Sequence, residues 1–420
     1  MKDITKNILH FLKHNFAKDI KQVVDAPQFS TKSTQMLKQL HKTLVLSEKT
    51  WDLGKIDIVE SNTELMSGSQ CTKGGSYDNL PHEIKDIINR SKVIQKKYEF
   101  NYGGRKINIT FVFPISEHHS RINSEISKFC RDALRKMFMW LFIADKYAEK
   151  RCSNTMNIHF YATDHLKKVA NTKDQPLDQI HINTAFTTSC SNSTELYIFR
   201  LEEWFKVFIH ETFHNMGLDF SHVDNTISDQ RMRKIFPVSA DVRLYETYCE
   251  MWAEIMNTMF VSYFSTTAQF KTDPAFIIKK MEGFLQFEAM FSAFQCAKVL
   301  DHNGMTYTEL IEIYTNPQKS PNSALKYKEK TNALSYYVIK SVLMVNMNMF
   351  VEWCALNNHK SLDFTETSKT IGSYCNMIEQ IYRSPKYLAY SFIMEKWFQN
   401  KHIRKNTMEG QTLRMTVYEI

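Results

Sequence analysis

The feature that most narrows what this chain can fold into is a change of hydrophobic period near residue 97. Residues 97–102 and 105–113 are two runs of β character on either side of Gly103-Gly104. Paired glycines supply positive φ at both central positions of a tight turn, so this stretch predicts a hairpin. Pro114 stops the second strand. The pattern then turns helical, with Ile122, Ile126, Phe129, Leu134, Met137 and Leu141 marking a long amphipathic helix over 117–148. Strands are expected at 156–161, 179–187 and 195–200, and the last runs straight into a helix at about 202–217. Hairpin, helix, three strands and helix in that order give an α+β layout.

Helices are expected on both sides of this middle region. Residues 1–60 carry helical periodicity through Ile8, Phe11, Leu12 and Phe16, then through Met36, Leu37, Leu40 and Leu44. Residues 61–76 are small, polar and glycine-bearing, which suits a linker. A short helix is expected at 82–93, after Pro81. Beyond residue 240 the chain reads as helical to about residue 400, with breaks near Pro274, Pro317 and Pro385. Only 11 glycines and 9 prolines occur in 420 residues, so helix should dominate. These patterns divide the chain into 1–80, a helical region with a linker; 81–262, the α+β core; and 263–420, a helical region. The most apolar stretch, 336–356, contains Lys340, Asn346, Asn348 and Glu352, and reads as a buried amphipathic helix rather than a membrane span. Its methionines, within 342–350, read as core packing.

Charge and cysteine usage narrow the partners. The formal charge is +8, but the densest basic runs, 92–97 and 401–405, are short and lack interleaved aromatic pairs. They read as solvated faces, so no specific nucleic-acid partner and no membrane are expected. The eight cysteines lie far apart with no Cys-x-x-Cys pair. That is the usage of reduced, buried thiols, and it favours a cytoplasmic protein that is not secreted. The first residues, with Asp3 and only a short apolar stretch after it, do not read as a signal peptide.

The chemistry centres on His210-Glu211-Thr212-Phe213-His214. On a helix, residues four apart lie on one face, so His210 and His214 can direct their imidazoles at one ion. Glu211 projects from nearly the same side and can serve as general base toward a zinc-bound water, whose pKa falls toward roughly 7. Trp204, Phe205, Phe208 and Ile209 make the other faces apolar, and Gly217 is a helix stop. Three residues are candidates for the third metal ligand: His222, Glu246 and Glu250, the last two on a helix expected over about 240–262. Glu250 is favoured because Glu254 follows one turn later and can accept the second N–H of a ligand histidine. Glu246, Glu250 and Glu254 share one face, an arrangement that costs stability unless a cation answers it.

Taken together these residues resemble the gluzincin branch of the zincin metallopeptidases. In that family His-Glu-x-x-His is followed by a helix bearing Glu-x-x-x-Asp, matched here by His210, Glu211 and His214, then Glu250 and Glu254, with Glu in place of the usual Asp. The resemblance covers about residues 95–260 and implies a zincin-like core, a mixed twisted sheet with an active-site helix, carrying helical N- and C-terminal additions. It implies zinc as cofactor and a polypeptide as substrate. The stretch 182–186 resembles the edge strand that pairs with an extended substrate, through Asn183, Thr184 and Ala185. The metzincin branch is disfavoured, because its third histidine would fall at Phe220. Tyr336, Tyr337 and His302 are candidate donors to the oxyanion. The strand-to-helix run 196–210 and Gly217-Leu218-Asp219-Phe220-Ser221 also resemble uncharacterised zincin-type proteins of large cytoplasmic DNA viruses, implying host cytoplasm or virion. The alternative from another class is a zinc-stabilised structural protein without hydrolytic activity.

Overall fold

In a computed structural model, residues 2–23, 28–71, 73–115, 122–173, 175–312, 326–399 and 407–420 are described. The chain forms two compact units, each assembled from separated stretches. One comprises Gln39–Leu166 and Asn183–Leu218; the other comprises Met1–Lys38, Lys167–Ile182 and Asp219–Ile420. This division differs from the consecutive regions 1–80, 81–262 and 263–420. The class is α+β, with helix dominant as the glycine and proline content implied.

The first unit holds a six-stranded mixed sheet of β1 (Val59–Ser67), β2 (Lys92–Tyr102), β3 (Arg105–Ile115), β4 (Thr155–Tyr161), β5 (Ala185–Thr187) and β6 (Ser193–Ile198). Their spatial order is β1-β2-β3-β4-β6-β5. The β2–β3 hairpin turns at Gly103 and Gly104, whose φ values are 61° and 80°, as the glycine pair required. β3, β4 and β6 run parallel, and the short edge strand β5 returns antiparallel to β6.

The helix α1 (Ile122–Ala144) covers one face of the sheet, and the expected residues 117–121 before it lie outside the described residues. Its Phe129 meets Phe111, Phe113 and Phe160 edge-on, which fixes the helix over β3 and β4. On the opposite face, Gly74 lies against His159 and Tyr197, where an added Cβ would collide with the Tyr197 hydroxyl and the His159 ring. Ser76 then bonds the Tyr197 hydroxyl through its N–H (3.0 Å) and the Glu195 carboxylate through its own hydroxyl (2.8 Å).

Three expectations are corrected. The expected linker 61–76 contains most of β1, which is a polar edge strand with Val59 and Leu65 exposed and so lacks a periodic apolar signal. The expected strand 179–187 is instead a helical turn, Gln179–Ile182, followed by the three residues of β5. Asp178 starts that turn, its carbonyl accepting from the N–H groups of His181 and Ile182. Finally, Cys152 and Cys190 form a disulfide, whereas Cys71, Cys130, Cys249, Cys296, Cys354 and Cys375 are buried thiols, as all eight were expected to be.

The second unit is helical: α3 (Leu244–Phe264), α4 (Pro274–His302), α5 (Leu334–Val345), α6 (Met347–Asn357), α7 (Ser368–Ile381) and α8 (Pro385–Gln399) are its main elements. The expected breaks at Pro274 and Pro385 are helix starts, where a missing N–H costs nothing; Pro317 lies outside the described residues, as does the basic run 401–405. α3 packs against α4 and α5 and is buried on almost every side, so it is the core helix of this unit. The stretch 336–356 is not one helix. It bends by 92° at Asn346, whose side chain donates back to the Val342 carbonyl (2.8 Å). Among the described residues no single helix is long and apolar enough to cross a membrane.

Residues 413–418 are buried without regular structure, so side chains must satisfy their backbone. Gln295 and Lys298 donate to the Thr412 carbonyl, Tyr337 to that of Leu413 (2.6 Å) and Lys340 to that of Met415 (3.0 Å). Glu288 accepts the N–H groups of Val417 and Tyr418, each at 3.0 Å or less.

Candidate metal-binding site

The motif helix α2 (Trp204–Asn215) lies within the expected 202–217, and every one of its residues is buried. It packs on β5, β6 and α1. Successive residues of a helix turn by about 100°, so Thr212 projects almost opposite the bisector of His210 and His214. That side is anchored: the Trp140 indole donates to Thr212 Oγ1 (2.6 Å) and stacks on Phe213 at 5.9 Å between ring centres. The two variable positions of the motif therefore set the rotation of α2, and the two histidines share the other side. The helix ends at Gly217, whose φ of 68° and the bond from Leu218 N–H to the Phe213 carbonyl close its last turn.

The Nε2 atoms of His210 and His214 stand 3.2 Å apart, with the rings 75° from coplanar. Two imidazole nitrogens this close either share one proton or direct two lone pairs at one cation. Glu211 is buried beside them on the next position of the helix. At the far end of α2, Asn215 donates to the Thr187 hydroxyl of β5 (3.3 Å). The start of β5 is held as well: buried Arg200 donates to the Asn183 carbonyl (2.9 Å), and Phe199 N–H donates to that of Thr184 (2.9 Å). Asn183, Thr184 and Ala185 thus sit at the sheet edge with their inner side committed to the end of β6. No described strand pairs with the outer side.

The acidic candidates lie on α3, in the helical unit, and the structure separates them by partner. Glu250 and Glu254 both face Lys340 of α5, at 3.2 and 2.7 Å from its ammonium. Burial opposes the charge on Lys340, yet the carboxylates of Glu254 and Glu250 hold its pKa above the usual lysine range. Glu246 accepts from the Tyr336 hydroxyl (2.9 Å) and from the Asn332 amide (3.3 Å). Tyr336 sits in a π-helical segment, Leu334–Ile339, a backbone form often found at functional sites.

Glu250 and Glu254, one turn apart on α3, thus share the ammonium of Lys340. His222 pairs with Glu366 (2.8 Å). Of the candidate oxyanion donors, Tyr337 is spent on the Leu413 carbonyl and His302 on that of Gln175 (2.8 Å), while Tyr336 serves Glu246. Sequence reasoning missed Lys340 and Asn332 as site residues. The signal for the first was present: a lone lysine in an apolar stretch has to meet buried carboxylates. Compared with protein-family models, curated proteins and solved structures, the chain matches none.

Proposed function

We propose that this protein is a zinc-dependent peptidase with a zincin-like core of the gluzincin type. The observation that carries the reading is the pair of Nε2 atoms 3.2 Å apart on a rotationally anchored helix, with Glu211 between them in sequence. Two nitrogens bound to one zinc at 2.0–2.1 Å in tetrahedral geometry would stand about 3.3–3.4 Å apart, so the donor set fits the ion. His210 and His214 would hold the metal. Bound zinc supplies a Lewis acid that makes water nucleophilic near neutral pH.

The remaining steps belong to the chain. The Glu211 carboxylate takes the proton of the attacking water and passes it to the departing amine. β5 supplies an open strand edge on which an extended polypeptide can add as a further strand, bringing its backbone alongside α2. The test is cleavage of a fluorogenic peptide library with zinc added and with chelator added. Zinc-dependent cleavage that Glu211→Gln abolishes without loss of metal supports the reading. Stoichiometric zinc with equal cleavage, or none, in wild type and Glu211→Gln would instead indicate a zinc-stabilised structural protein.

A further inference from the structure

Within the sheet unit, the loop between α1 and β4 meets the loop between β5 and β6 at the Cys152–Cys190 disulfide. Hydrogen bonds join the same two loops independently. Ser153 N–H donates to the Ser191 carbonyl (2.7 Å), Thr155 N–H to that of Asn192 (3.0 Å), and the Asn154 amide to the Asn192 side chain (2.7 Å). The backbone before Cys152 is fixed as well. Buried Arg105 pairs with Asp145 (2.9 Å) and donates to the carbonyls of Glu149 (3.1 Å) and Cys152. Breaking the sulfur–sulfur bond therefore leaves both cysteines in place, with Cα atoms 4.9 Å apart.

A third donor stands with them. A Glu149 carboxylate oxygen and the two sulfurs all lie within 4.8 Å of one another. Gly217 leaves room at this point: an added Cβ would stand 2.9 Å from Cys152 Sγ and 3.3 Å from Glu149 Oε1. Glu149 also pairs with Arg151, whose side chain is 67% exposed and can turn to water at little cost. We propose that reduction of Cys152–Cys190 creates a zinc site, made of the two thiolates and the Glu149 carboxylate and separate from the histidine pair.

The reductant is a dithiol. Its thiolate attacks the half-buried Cys190 sulfur, the sulfur–sulfur bond breaks, and the electron pair leaves on Cys152. The reductant's second thiolate then displaces Cys190, so the dithiol ends as a disulfide and the protein holds two thiols. Zinc replaces the two thiol protons, which pass to solvent. Two thiolates on one tetrahedral zinc stand about 3.8 Å apart, a separation that side-chain rotation supplies between these Cα atoms. Water takes the fourth position. Paired thiolates favour zinc over magnesium or calcium. Disulfide and metal compete for the same sulfurs, so occupancy follows the redox state.

The experiment compares the full-length protein before and after reduction. The protein is treated with excess dithiol, freed of it by gel filtration under nitrogen, and titrated with zinc against a chromophoric chelator and with cobalt. Reduction should add one equivalent of zinc to whatever the oxidised protein binds. The added cobalt should show the intense near-ultraviolet absorption of thiolate-to-metal charge transfer. Cys190→Ser should gain nothing on reduction. Glu149→Gln should keep the charge-transfer absorption and lose at least about 10-fold in affinity, the least that losing even an outer-shell partner costs. The proposal is overturned by a reduced protein that gains no zinc, by a gain without charge transfer, or by wild-type behaviour of either variant. It also falls if circular dichroism shows that reduction unfolds the protein, since the backbone contacts then do not hold the thiols. An oxidised protein that binds no zinc defeats the histidine reading alone, an outcome distinct from these.

Discussion

Helices α2 and α3 are both buried along almost their whole length, yet they keep their polar groups for different reasons. α2 carries its chemistry locally: the spacing of His210 and His214 suffices to bring two nitrogens within 3.2 Å once Trp140 fixes the helix rotation. α3 carries three carboxylates whose roles no local spacing distinguishes. What separates them arrives from α5, 86 residues beyond Glu254 in the case of Lys340. A histidine pair is thus defined by its own helix, whereas an acid on a core helix is defined by what packs against it. The buried pair costs several kcal/mol of desolvation per ion, so it persists only because each charge is answered at close range.

The comparison can be broken most directly at α2. His214→Ala should take bound zinc from one equivalent to almost none, read by elemental analysis, and peptide cleavage should vanish with it. Zinc retained in that variant would remove the distinction between the helices. Glu211→Gln should keep its zinc and lose about 10²- to 10⁴-fold in turnover, the usual contribution of a positioned general base; a variant as active as wild type would leave α2 with a metal role alone.

On the α3 side, the informative residue is Glu329, which accepts from Leu334 N–H (2.7 Å) at the start of the segment bearing Tyr336. Burial raises its pKa from 4.5 to about 7. A carboxyl that holds its proton more tightly when folded contributes stability that is complete below pH 4.5 and is lost as the pH rises through about 7. The loss amounts to at most about 3 kcal/mol. Urea midpoints at pH 5 and pH 8 should therefore differ, and Glu329→Gln should shrink that difference; an unchanged difference would assign the pH dependence elsewhere. The smallest expected effect is Trp140→Phe, which removes one bond to Thr212 while the hydroxyl keeps the Phe208 and Ile209 carbonyls. A loss of about 1–2 kcal/mol in thermal unfolding, with weakened zinc, is expected. Full stability with full affinity would show that Trp140 does not set the rotation of α2.

The same contrast explains what was legible in the sequence. The β2–β3 hairpin, β4, β6, α1, α2 and α3 all follow from periodicity and from Gly103, Gly104 and Gly217, because each is a local pattern. β1 escaped because an exposed edge strand needs no apolar alternation, and Val59 and Leu65 face outward. The turn at 179–182 escaped because Asp178 overrides a β-like run. The bend at Asn346 depends on one side chain turning back on its own helix. The closeness of the two imidazoles was legible from their spacing, whereas Lys340, Tyr336 and Asn332 reach the carboxylates of α3 only through the tertiary fold. The Cys152–Cys190 bridge has no spacing signal at a separation of 38 residues.

The hydroxyl of Thr5 bonds the carbonyl of Val417 (2.8 Å), closing the helical unit on residues from opposite ends of its own sequence. On the ribosome this imposes a schedule. All the residues of the sheet unit have been synthesised by Leu218, so its strands and the imidazole pair can assemble early, since domains emerging first generally fold first. The helical unit must wait until residue 418 has emerged, and until then Lys340 lacks the carbonyl that seats it. A nascent chain stalled between these two points would hold the imidazole pair of the sheet unit while the buried charges of the helical unit still lacked the segment that seats them.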